Sequence, residues 1–219
     1  IGIVFAVQLY VETDRPASIT GLFFHELRTS ILSAGFIKPA FLQGGEYWLI
    51  LTGAFLHGFT AHAAMNAYAF YSFGKLFELL TNRAHLAIVF LMSAVSGGLL
   101  SAYFLPDGIS VGASGGIVGL IGYLLVYAFK RRQFVSAEFR KSLILNIGFI
   151  LLFGFVLYGI VDNWGHIGGL LAGIVYGLAQ ISSDEYRNPQ DAGLFVRAAG
   201  VATLAISIAS ALLAILLML

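Results

Sequence analysis

The sequence predicts an all-α, polytopic membrane helix bundle, and three observations lead there. Hydrophobic residues make up 59% of the chain and charged residues only 11%, against about 25% charged in an ordinary soluble domain. Mean hydropathy is +0.89. The apolar residues also gather into runs close to the ~20 residues that cross a hydrocarbon core as a helix, with polar segments between them.

Taken in order, residues 1–10 read as the end of a first span, and Ile1 in place of methionine implies that a preceding segment has been removed. Residues 11–49 mix charges (Glu12, Asp14, Arg15, Glu26, Arg28, Lys38, Glu46) with Leu22, Phe23, Phe24, Phe36 and Phe41. Such a segment is too polar to span, and it is expected to lie in the membrane interface with short amphipathic helices. Full-length spans follow at about 50–72, 86–105, 113–129, 142–161, 165–181 and 193–219, so that 1–219 forms a single membrane domain.

Orientation follows from lysine and arginine placement. Lys130, Arg131, Arg132, Arg140 and Lys141 share one loop region, and Lys75, Arg83, Arg187 and Arg197 fall on the same side. The opposite side carries Arg15, Arg28 and Lys38, all in the long first loop. The basic side is expected to be cytoplasmic, which places residues 11–49, the Pro106–Asp107 turn and Asp162 outside. A bacterial plasma membrane fits the compact loops.

Composition also removes several chemistries. A net charge of +1, with no basic cluster outside one short loop, argues against nucleic acid as a partner. The chain has no cysteine, hence no disulfide, thiolate nucleophile or cysteine-ligated metal. It lacks the His-Glu-x-x-His of membrane zinc proteases and the Gly-x-Gly-Asp of membrane aspartyl proteases. No metal or cofactor is expected. A transporter would place polar groups near the bilayer midplane, whereas here they cluster toward one face.

Two polar residues at helix starts carry the chemical signal. Ser114 stands in Val111-Gly112-Ala113-Ser114-Gly115-Gly116, where a polar loop enters an apolar helix, and His166 opens another in Asp162-Asn163-Trp164-Gly165-His166. Polar groups in such places are costly to keep without a task. The topology brings both to the outer membrane face. Gly115, Gly119 and Gly122 recur at i, i+4 and i+7; His166, Gly169 and Gly173 recur at i, i+3 and i+7. Each set lies on one helical face, and small residues there allow close helix approach. A serine hydroxyl needs an adjacent base to act as a nucleophile at neutral pH, and His166 could serve. Asp162 is the acid nearest His166 in sequence, and its i−4 position fits a helix cap better than a third catalytic member.

A third constellation lies in the second span. His62 and Asn66, four apart, project from one helix face with His57 about a turn above. With the backbone N–H of Ser114 they could donate hydrogen bonds to an oxyanion, or they could form a polar clamp between helices. Thr60, His57 and Asn66 could line a water-filled cavity leading to Ser114. The span at 142–161 carries Phe149, Phe153 and Phe155, and its Gly148, Gly154 and Gly159 share no face. It is the expected gate for substrate, or a helix that simply faces lipid.

These residues together resemble the rhomboid intramembrane serine proteases. The resemblance covers almost the whole chain and rests on separate blocks: Gly45-Glu46-Tyr47-Trp48, His62-xxx-Asn66, Gly74-xxx-Glu78, Gly112-x-Ser114-Gly115, and His166-xx-Gly169-xxx-Gly173. It implies a six-helix core with one additional C-terminal helix, a Ser114–His166 dyad, and oxyanion contacts from His62 and Asn66. It also implies transmembrane protein substrates cut near or within a membrane segment. The chain has Trp48-Leu49 where the family commonly has Trp-Arg, and Val118 where some members place an aromatic residue against the histidine. The rival expectation within the same family is a catalytically inactive protein that only binds membrane clients. Such relatives usually lack one of the two dyad residues.

Overall fold

The computed structural model describes residues 1–12, 18–182, 184 and 187–219; Asp14 and Arg15 of the first loop lie outside the described residues. The chain runs through α1 (Gly2–Val11), α2 (Ile19–Phe24), α3 (Arg28–Ala34), β1 (Phe36–Ile37), α4 (Lys38–Leu42), α5 (Leu49–Thr52) and α6 (Thr60–Leu80). It continues through α7 (Arg83–Phe104), β2 (Ile109–Ser110), α8 (Ser114–Lys130), α9 (Ala137–Val156), α10 (Asn163–Gln180) and α11 (Leu194–Met218). Among the described residues α7, α9 and α11 are long and apolar enough to cross a membrane on those two measures alone. The chain is an all-α membrane helix bundle.

Three of the long helices start at side-chain caps. Asn82 accepts a hydrogen bond from the His85 N–H at 3.0 Å, Ser136 from Phe139 at 3.1 Å and Asp162 from Gly165 at 2.9 Å. Each satisfies an N–H that has no partner inside its own helix. The Ser136 cap starts α9 five residues ahead of the expected 142. Gly159, with φ +96, takes the chain out of helical conformation after α9 ends.

The expected span at 50–72 needs correction. Its helix, α6, begins only at Thr60, after α5 and a 3₁₀ turn at Gly53–Phe55. The intervening backbone groups are committed elsewhere. The Gly112 N–H donates to the Gly53 carbonyl at 3.0 Å, Leu27 to Gly58 at 2.9 Å, and His57 to Gln8 Oε1 at 2.9 Å. An apolar run does not reveal that its peptide groups pair with distant loops.

α8 lies at the centre, with every residue from Gly116 to Leu124 buried, and α6, α7 and α10 surround it. The approach of α8 to α10 is backbone against backbone. A Cβ built on Gly173 would meet the Gly119 carbonyl group, its carbon 2.7 Å away, and one on Gly169 would lie 2.8 Å from the Gly115 carbonyl carbon. The two glycine faces therefore meet. At the far end Lys130 donates from Nζ to the Leu178 and Ile181 carbonyls, both at 2.7 Å, which closes the C-terminus of α10.

α9 is attached most loosely. Among its residues only Leu143 and Gly154 are buried, while Phe149, Leu152, Phe155 and Val156 are exposed. A two-residue antiparallel ladder, Phe36 with Ser110 and Ile37 with Ile109, joins the first loop to the segment leading into α8. Two residues give no readable alternation, and the sequence carried no sign of it.

Candidate active site

Ser114 is the first residue of α8, delivered by a turn at Gly112 whose φ of +130 suits only glycine. The N-cap position is Ala113, which has no side-chain acceptor, so the N–H groups of the first turn stay uncapped. The positive end of the helix is thus centred on Ser114.

His166 Nε2 lies 2.9 Å from Ser114 Oγ. The contact follows from the helix approach just described, since His166 sits one turn ahead of Gly169 on the face that meets α8. Its Nδ1 is buried and has no partner among the described residues. For Nε2 to accept the serine proton, a neutral ring must carry its own proton on Nδ1, a tautomer assigned from hydrogen bonding.

The Asp162 carboxylate makes no hydrogen bond to the His166 ring among the described residues. Oδ1 caps Gly165, while Oδ2 accepts from Ser101 Oγ at 2.5 Å and Ser110 Oγ at 2.6 Å. Lys38 Nζ stands 3.9 Å from the same oxygen, with its side chain 2% exposed. Burial pulls the Lys38 ammonium below its usual pKa, and the Asp162 charge opposes that shift.

His62 overhangs Gly112. A Cβ built on that glycine would sit 2.9 Å from His62 Cε1, 3.0 Å from Nε2 and 3.7 Å from Ser114 Oγ. The Gly58 N–H donates to His62 Nδ1 at 3.4 Å. With Nδ1 accepting, the neutral ring keeps its proton on Nε2, the nitrogen nearer Gly112 and Ser114. Asn66 is buried and donates to the His62 carbonyl at 3.1 Å, one turn back in its own helix.

His57 lies outside α6 and is fully buried, with its ring 5.1 Å from that of His62. Its backbone is clamped from α1, where Gln8 accepts from its N–H and donates to its carbonyl at 3.0 Å. The cavity at the site is walled by Ser110, Gly112, Ser114, Gly115, Asp162 and His166, among others. Thr60, His57, His62 and Asn66 are not among its walls.

The family model for the Rhomboid domain matches residues 44–183, well over half of the chain. The chain belongs to the rhomboid family. It is 34% identical over 169 residues to RHOMBOID-like protein 6, mitochondrial, of Arabidopsis thaliana, covering 71% of this chain and 52% of that protein. It is 34% identical over 144 residues to Rhomboid protease GluP of Bacillus subtilis, covering 66% of this chain and 28% of that protein. Inactive rhomboid protein 1 of Bos taurus is 32% identical over 134 residues, covering 61% of this chain and 16% of that protein. The chain spans about half the length of the first of these rhomboid relatives and less of the other two.

As a rhomboid domain the chain departs from Trp-Arg at Trp48-Leu49, and Leu49 is buried while Trp48 is exposed. The first loop is anchored by other polar groups. Thr52 Oγ1 donates to the Ala34 carbonyl at 2.7 Å, Thr29 Oγ1 to Glu12 at 3.0 Å, and Gln8 Nε2 to Ser30 at 2.9 Å, beside the Lys38–Asp162 pair. Sequence reasoning assigned no role to Gln8, Lys38, Ser101 or Ser110. The one available signal was Gln8, an amide within an otherwise apolar helix.

Proposed function

We propose that this chain is an intramembrane serine endopeptidase of the rhomboid type, and one observation carries the reading: Ser114 Oγ within hydrogen-bond distance of His166 Nε2. Ser114 attacks the scissile carbonyl as His166 takes its proton. The resulting oxyanion is stabilised by the uncapped N–H of Ser114, with His62 and Asn66 as further donors. His166 then protonates the departing amine, and water hydrolyses the acyl-enzyme. Substrates are transmembrane proteins reaching the site from the lipid bilayer, and α9 is the gate because so little of it is buried. The loop charges orient the site toward the outer face, and the relatives span plant and bacterial proteins.

Reaction with a fluorophosphonate probe tests this directly, with covalent labelling at Ser114 expected. Absence of labelling would favour the alternative, a catalytically inactive rhomboid-like protein that binds membrane clients; one relative is named as inactive.

Two further outcomes are expected. Asn66→Ala lowers kcat by roughly 10²-fold with KM little changed, if the carboxamide serves mainly in the transition state. Steady-state kinetics on a transmembrane substrate decide it, and an effect confined to KM would make Asn66 a clamp. On the substrate side, a peptide bond in an intact helix is shielded by its own hydrogen bonds, so cleavage requires local unwinding. Replacing Gly or Pro near the scissile bond by Leu slows cleavage. Unchanged rates in a reconstituted assay would reject the unwinding requirement.

A further inference from the structure

Asp162 accepts more hydrogen bonds than a helix cap needs. Its Oδ1 alone satisfies the Gly165 N–H, yet Oδ2 gathers Ser101 from the end of α7 and Ser110 from β2, with Lys38 of α4 close by. The Lys38 N–H also donates to the Gly108 carbonyl at 3.2 Å. Four separate parts of the chain thus meet at one carboxylate beside the site.

Their spacing is informative. Ser110 precedes Ser114 by four residues, and Asp162 precedes His166 by four. The segment entering α8 and the first turn of α10 are therefore joined twice, by Ser110–Asp162 at 2.6 Å and by Ser114–His166 at 2.9 Å. The glycine faces hold the two helices together along their length, and the two hydrogen bonds fix the angle between the segments at their outer ends. The ring has no other polar restraint among the described residues, because Nδ1 is unpartnered. Its orientation must come from where α10 is held.

We propose that Asp162 is a positioning residue for the Ser114–His166 pair. By binding Ser110 it sets the spacing of nucleophile and base from outside the pair. Lys38 balances the carboxylate charge and ties the first loop to the same point. The proposal rests on the protease reading given above.

The test uses the whole chain reconstituted in liposomes. Readouts are the rate of fluorophosphonate labelling at Ser114, kcat and KM on a transmembrane substrate, and Tm. Ser110→Ala leaves the Gly165 cap and the Lys38 pair in place. It is expected to slow labelling and kcat about tenfold with KM changed less than about twofold, since small misplacements of reacting groups are costly. Ser110→Thr, which keeps the hydroxyl, restores both rates. Asp162→Ala costs about 100-fold, and adding Ser110→Ala to it costs nothing more. If Ser110→Ala labels and turns over like the wild type, the proposal is overturned, even where Asp162→Ala fails to fold. A lower Tm with unchanged kcat per folded molecule overturns it equally. Failure of the wild type itself to label rejects the protease reading, and the positioning role falls with it.

Discussion

Ser114→Ala and His166→Ala are each expected to reduce cleavage of a transmembrane substrate to background while the helix bundle stays folded. Each removes one of two reacting groups. Nδ1 of His166 has no partner among the described residues, so no carboxylate backs the base. Losses of about 10⁴-fold or more accompany removal of the nucleophile or base in comparable serine hydrolases. The double variant should be no worse than either single one, since the two groups act as a unit. The α8–α10 contact rests mainly on glycine backbones, with the Ser114–His166 hydrogen bond only at its outer end, so Tm should move by only a few degrees. Turnover above background by either purified variant would remove the dyad assignment.

The second large effect concerns stability. Gly173→Val should destabilise the protein by at least about 3 kcal/mol, the upper end of typical overpacking costs. A Cβ there meets the Gly119 carbonyl group, and a backbone cannot turn aside as a flexible side chain can. The helices must separate, so activity should fall as Ser114 and His166 draw apart. Gly148 of α9 supplies the contrast, since nothing lies within 4 Å of a Cβ placed on it. Gly148→Ala should be neutral or stabilising by up to about 1 kcal/mol, through the loss of unfolded-chain freedom. Thermal unfolding of the two variants in one detergent checks both, and a wild-type Tm for Gly173→Val would mean the helix approach is misassigned.

The glycine faces were legible in the sequence because their spacing is a local property of one helix each. Ser114, His166, His62 and Asn66 stood out in the sequence because each stands in a short block whose chemistry is costly in an apolar setting; the structure brings Ser114 to His166 and sets His62 beside Gly112, while Asn66 bonds within its own helix. The break between Thr52 and Thr60 was not. Those residues are as apolar as a span, and only the pairing of Gly53, His57 and Gly58 with distant partners keeps them from continuing as helix. The buried Lys38 was legible only as one more charge in a polar loop. Its burial depends on a carboxylate more than a hundred residues away, a relation that no periodicity encodes.

α8 has 17 residues, a length of about 26 Å at the usual rise per residue. Typical bilayers present about 30 Å of hydrocarbon. Lys130 at one end carries a charge that seeks the headgroup region, so the shortfall falls at the Ser114 end. Because neighbouring helices and not lipid surround α8, the shortfall leaves its first turn recessed within the bundle, below the headgroup level. Bilayer thickness thereby becomes a variable of the reaction: thin membranes would bring water to Ser114, and thick ones would bury it.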